Sequence, residues 1–125
     1  MPGLTLTIEN RPNCVIVRLD GYLDGETGLQ LQQLLEGLLC RGARGMVLDF
    51  SKCTSINSLG VSCLLEIVIR IVEDFGGKLV LVGLNELQRR VMVLSGIIPM
   101  SISAPNLDEA CRAAGGEDGG PGGDR

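Results

Sequence analysis

Histidine and tryptophan are missing from the 125 residues altogether, and the aromatic complement is two Phe and one Tyr. Without histidine, no serine or cysteine has the usual imidazole to take its proton, and no GxSxG elbow is present, so an enzyme of the hydrolase type is not expected. The shortage of aromatics removes the platforms on which single-stranded nucleic acid stacks. A formal net charge of −4, with basic residues scattered singly or paired only at Arg89 and Arg90, lacks the electrostatic footprint of a nucleic-acid binder. Phosphate-cradling loops of the GxxxxGK[ST] and GxGxxG types are absent as well.

Long apolar runs are also wanting. Glu66 and Arg70 interrupt the longest one before it reaches the roughly 18 residues of a membrane span, so a soluble chain without membrane insertion is expected. The first residues, Met1 to Thr7, lack a basic stretch followed by an apolar one; no secretory leader is expected, and the cytoplasm is the expected compartment. The five cysteines, Cys14, Cys40, Cys53, Cys63 and Cys111, are odd in number and widely spaced, which predicts reduced thiols rather than a disulfide framework. With neither CxxC pairs nor histidine partners, no metal and no cofactor are expected.

What is present is aliphatic. Hydrophobic residues make up 45% of the chain, enough for one core in one domain. Leu4 to Ile8 alternates apolar and Thr, Cys14 to Leu19 alternates again, and Asn10 to Asn13 supplies turn chemistry between them, which predicts an antiparallel strand pair. After the turn-like Asp20 to Gly25, Leu31, Leu34, Leu35, Leu38 and Leu39 recur at helical spacing, and Cys40-Arg41-Gly42 ends that helix. Gly45 to Phe50 reads as a strand buried on both faces, and Ser51 to Asn57 as a polar loop.

From Leu59 to Phe75 a long helix is predicted, with Val61, Leu64, Leu65, Val68, Ile71, Val72 and Phe75 inward and a Glu66 to Arg70 i,i+4 pair on the wet stripe. Cys63, Ile67 and Ile69 fall outside that stripe, either packed beneath a neighbouring helix or forming a docking surface. Gly76-Gly77 stops the helix. Leu79 to Val82 is a buried strand, Asn85 caps a helix over Glu86 to Ser95, Ser101 to Ser103 is a weak strand, and Asn106 to Ala114 is a last helix. The division is therefore a domain over 1–114 and a Gly- and acid-rich segment over 115–125, expected to be disordered. The fold class is α/β: a mixed, mainly parallel sheet of four to five strands with crossover helices.

In such sheets sites form beyond the carboxyl ends of the parallel strands, so Asp20 to Glu26, Ser51 to Ser58 and Gly83 to Asn85 are expected at one end. Ser58 lies where the loop turns into the long helix. Free N–H groups and the positive end of the helix dipole would accommodate a phosphate there, and its charge of about −1.5 to −2 would alter what a partner meets. The alternative is that Ser58, or Asn57 beside it, is only an N-cap. Gly60 is open to another reading, a close approach of helix to sheet. Asp24 can cap the first helix or present charge to a partner.

Val47-Leu48-Asp49-Phe50, then Ile56-Asn57-Ser58-Leu59-Gly60, then Cys63-Leu64-Leu65, resemble the strand, Asp-Ser-Ser/Thr-Gly loop and helix of STAS domains, the family that includes bacterial anti-sigma factor antagonists. Gly21-Tyr22-Leu23-Asp24 resembles the family's Gly-x-Leu-Asp turn, and the likeness runs from about Leu4 to Ala114. It implies a regulatory protein that binds a serine-kinase anti-sigma factor, is phosphorylated by it on Ser58 and is restored by a serine phosphatase. Asp24, Asn57, Ser58, Leu59, Gly60 and Asn85 would then meet the partner. Asn57 stands where the family usually has Asp, and Leu59 where a second small hydroxyl residue is common. The alternative that the resemblance leaves open is a non-switching subunit of a larger assembly, such as a lipid ABC transporter or a signalling scaffold.

Overall fold

The computed structural model describes residues 3–115, so the segment expected to be disordered lies, from residue 116 on, outside the described residues. Gly115 itself closes the last helix, one residue past the predicted boundary. Five strands, β1 (Leu4–Arg11), β2 (Cys14–Leu23), β3 (Gly45–Ile56), β4 (Lys78–Val82) and β5 (Ile102–Ala104), form one sheet in sequence order. β1 and β2 are antiparallel; every later pairing is parallel. The mixed α/β architecture is thus the one the strand and helix order implies.

Strand alternation sorts the core into two layers. Val17, Leu19, Met46, Leu48, Leu79 and Leu81 point to one face, where α1 (Gly25–Cys40) lays Leu31, Leu35 and Leu39 and α2 (Ser58–Ile69) lays Leu64, Ile67 and Val68. Met92 of α3 (Glu86–Leu94) and Ile97 of α4 (Ile97–Met100) complete that layer. Ile16, Val47, Val80 and Val82 point to the other face and are covered by Ala110 and Ala114 of α5 (Leu107–Gly115). Burial on both faces is why β3 and β4 read as unbroken apolar runs.

Three expectations are corrected. β2 and β3 are longer than predicted: Asp20 to Leu23 and Ser51 to Ile56 are strand, paired as Asp20 with Lys52 and Leu23 with Ile56 through two register shifts, instead of a turn and a loop. β4 ends opposite Asp49, so beyond that point β3 has a neighbour on one side only, and its exposed, polar residues resemble a loop in sequence. Of the two readings for residues outside the helix stripe, the structure gives Ile67, 3% exposed, and Cys63, packed over Gly28 of α1, the packed one. Glu66 does not pair with Arg70. Arg70 instead grips Glu36 of α1 through two bonds of 2.6 and 2.7 Å and reaches Asp74 at 3.1 Å, while Glu66 accepts from Gln32 at 2.8 Å.

The long helix also changes pitch. After Ile69 it continues as a π turn over Arg70 to Asp74, where Phe75 N–H reaches back to Arg70 carbonyl at 3.1 Å. The Phe75 ring is flanked by Arg44 and Arg70, 4.9 and 5.2 Å from its centroid, which fastens this end of the helix to the start of β3. No described helix is long and apolar enough to cross a membrane.

Candidate functional site

The parallel register brings the carboxyl ends of β2, β3 and β4 to one side, and the residues singled out in sequence begin the helices that leave them. Asn57 caps α2: its backbone is extended, its Oδ1 accepts from Gly60 N–H at 2.9 Å, and its carbonyl accepts from Val61 N–H at 3.0 Å. Asn57 N–H donates to Leu23 carbonyl at 3.0 Å, which ties the mouth of α2 to the end of β2. Ser58 is the first residue of α2 and is exposed, and its hydroxyl forms no hydrogen bond with any described residue. Helix geometry leaves the N–H groups of Ser58 and Leu59 without acceptors inside the helix. Of the two capping candidates the structure selects Asn57.

Asp24 caps α1 in a reciprocal arrangement with Thr27. Thr27 N–H donates to Asp24 Oδ1 at 2.9 Å, and Asp24 N–H donates to Thr27 Oγ1 at 2.7 Å. The Thr27 hydroxyl in turn donates to Tyr22 carbonyl at 2.8 Å. The Thr27 N–H bond, ahead of smaller contributions from the Thr27 hydroxyl and nearby backbone, holds the Asp24 carboxyl below its ordinary range. The charge beside the mouth of α2 is therefore fixed in place as a carboxylate.

Leu59 and Gly60 have different positions. Leu59 is 63% exposed, with its inner side against Gly25, where an added Cβ would stand 3.2 Å from Leu59 Cβ. Gly60 is buried against the backbone of Leu23, and a Cβ at this position would collide with Leu23 carbonyl. A partner can touch Leu59 but not Gly60; the glycine serves the close approach of α2 to β2. Asp24, Asn57, Ser58 and Leu59 are thus assembled around one helix mouth.

Asn85, exposed, caps α3 in a second reciprocal box, with Gln88 N–H donating to Asn85 Oδ1 at 2.8 Å and Asn85 N–H donating to Gln88 Oε1 at 3.0 Å. Gln88 Nε2 reaches Cys53 carbonyl at 3.0 Å, which anchors α3 to the outer stretch of β3. Asn85 begins the helix that follows β4 as Asn57 begins the one that follows β3, and its side-chain bonds are to Gln88 and not to Ser58. Sequence reasoning missed Gln88, Thr27 and Thr54, whose hydroxyl donates to Gly21 carbonyl at 3.1 Å. The three-residue spacing from Asp24 to Thr27 and from Asn85 to Gln88 was a usable capping-box signal. It also missed the outer leucines of α3, Leu87 and Leu94, 69% and 81% exposed, whose seven-residue spacing marks one helix face.

Among the described residues no cluster of three or more His, Cys, Asp or Glu side chains could hold a metal ion. The rim has a hydroxyl, a carboxylate, two capping amides and an exposed leucine, a composition suited to recognition.

Known structures share this arrangement of strands and helices. An anti-sigma factor antagonist from Mycobacterium paratuberculosis superposes with a TM-score of 0.76 at 22% identity, over 90% of this chain and 94% of that one. The anti-sigma factor antagonist SpoIIAA in its unphosphorylated form gives 0.74 at 24% identity, over 90% and 97%. The Bacillus cell fate determinant SpoIIAA in the phosphorylated form gives 0.68 at 24%, over 87% and 98%. A comparison with curated proteins finds no match. The family model described as "Mlab, STAS domain" matches residues 6–98, the strands and helices that build the rim included. By that match, and by the fold, the chain belongs to the STAS domain family.

Proposed function

We propose that the chain is a non-enzymatic regulatory module that binds a serine kinase of the anti-sigma factor type through the rim around Ser58, and that phosphorylation of Ser58 by that kinase releases it. A serine phosphatase resets the switch, and the cytoplasm is the setting in which these partners meet. The observation that carries this reading is the Ser58 hydroxyl: exposed, bonded to none of the described residues, and next to a helix mouth already capped by Asn57. A phosphate there would gain the free N–H groups and the dipole of α2 while placing about −1.5 to −2 of charge beside the Asp24 carboxylate. The relatives solved with and without phosphate support a fold that tolerates such a change.

The test has two parts. Phosphopeptide mass spectrometry of the protein recovered from its own cells is expected to find phosphate on Ser58. Affinity capture from those cells is expected to recover an ATP-binding kinase with wild type and to lose it with Ser58→Glu. Absence of phosphate across growth phases, together with equal capture by both proteins, defeats the proposal.

A second reading, a non-switching subunit of a larger assembly such as a lipid-transport complex, is favoured by the outward leucines of α3, Leu87 and Leu94, which a permanent partner would cover. Under that reading Ser58→Ala and Ser58→Glu both retain function, whereas Leu87→Glu abolishes assembly.

A further inference from the structure

A second cluster lies at the opposite end of the sheet from Ser58. Arg11, the last residue of β1, stands across the ladder from Cys14, the first of β2, so both side chains leave the same face of the sheet. That is the face α5 covers, and Cys111 of α5 packs against the buried cluster to which Cys14 belongs. Arg11 Nη1 donates to Cys111 Sγ at 3.6 Å, while Arg11 Nε is held by Glu9 at 2.8 Å. Cys14 is buried and Cys111 half-buried; with Arg11 they line a surface pocket of about 160 Å³, ample for a molecule of peroxide size. The other thiols lack this setting: Cys53 is buried and donates to Ser55 carbonyl, Cys63 lies against Gly25 carbonyl, and Cys40 is exposed with no ion partner among the described residues.

We propose that Cys111 and Cys14 form an oxidation site for peroxide-class oxidants, in which Cys111 attacks, Cys14 resolves, and Arg11 is a positioning residue that holds the Cys111 sulfur in place. The Cys111 thiolate attacks one peroxide oxygen; the O–O bond breaks, a sulfenic acid forms, and the departing hydroxide leaves as water with the proton that Cys111 gave up. Cys14 sulfur then attacks the sulfenic sulfur; the S–O bond breaks, the disulfide forms, and hydroxide leaves with the Cys14 proton as a second water. Two thiols lose two electrons and one peroxide is reduced to two waters. Burial, and next the neighbouring Cys111, push the Cys14 thiol up to about 12, so Cys14 stays protonated near neutral pH and is not the sulfur that attacks first. The product ties α5 to the start of β2 and closes a loop over nearly the whole described chain.

This site is independent of the Ser58 reading and is tested on the full chain carrying Cys40→Ser, which removes the exposed competitor. After treatment with equimolar hydrogen peroxide, two of the four remaining thiols should resist alkylation, peptide mapping should find Cys14 joined to Cys111, and dithiothreitol should reverse the bond. The thermal midpoint should rise by at least about 5 °C in the oxidised protein. Arg11→Gln should slow thiol loss roughly tenfold and Arg11→Lys should restore most of it. Cys14→Ala, checked for folding by circular dichroism, should leave a dimedone-reactive sulfenic acid on Cys111. Retention of all four thiols, or loss spread equally over Cys53 and Cys63, overturns the proposal; an unchanged rate in Arg11→Gln removes Arg11 from it.

Discussion

Asn57 and Ser58 are neighbours with separate tasks, and the separation can be measured. Asn57→Ala removes the acceptor for Gly60 N–H and is expected to cost about 1 kcal/mol. Ser58→Ala removes a hydroxyl bonded to none of the described residues and should stay within about 0.5 kcal/mol of wild type. Urea unfolding of the two variants checks this; equal losses would mean that the serine shares the cap. Gly60→Ala is the severe change at this corner. Its methyl group would meet Leu23 carbonyl, the acceptor for Asn57 N–H, so the helix must move away or lose that bond, at a cost of about 1–3 kcal/mol. The same midpoint measurement reads it, and an Ala that costs nothing would show the contact to be slack.

Between elements, the crossing of α1 and α2 depends on Gly28. A Cβ there would stand 2.7 Å from Cys63 Cβ and 2.8 Å from its sulfur. Helix propensity alone makes Gly→Ala favourable by about 1 kcal/mol, yet the collision should reverse the sign and make Gly28→Ala destabilising by about 1–2 kcal/mol. Adding Cys63→Ala relieves the sulfur contact, so a double-mutant cycle should show a favourable coupling. At this scale the sequence was informative where burial was two-sided and periodic: the long runs of β3 and β4 and the leucines of α1 announced themselves. It misled where context overrode pattern. The outer half of β3 pairs on one side only and so looks like a loop, and Arg70 prefers the carboxylate of Glu36 on the next helix to Glu66 on its own. α4, four residues with Pro99 inside, is too short for any period to show.

For the whole molecule, ionisation sets a window of stability. Glu9, Asp24 and Glu36 titrate below their ordinary values when folded, chiefly through Arg11, the Thr27 N–H and Arg70 in turn. The unfolded chain therefore takes up protons first on acidification, and the stability these groups contribute at neutral pH is lost as pH falls through their folded values. Cys14, pushed up to about 12, acts at the other limit: above about pH 9 the unfolded chain loses that proton first, so stability declines from there toward 12. Urea midpoints should be flat near neutrality and fall on both sides, and Cys14→Ala should flatten the alkaline limb. A midpoint still rising at pH 10 would contradict this. The site was legible in sequence as a helix mouth bearing Ser58, because capping chemistry is local. The close approach at Gly60 was legible as one of two readings, whereas the outward leucines of α3 were not, because their exposure depends on which neighbour arrives from elsewhere in the chain.

The two sides of the sheet are roofed at different times. Valines 47, 80 and 82 wait for the alanines of α5, whose codons are read after every strand has been made. A chain whose five strands have paired before α5 docks has one sticky wall bare, at risk from its neighbours. A chain cut before Leu107 should therefore be retained by chaperones, whereas one that ends after Gly115 should be set free.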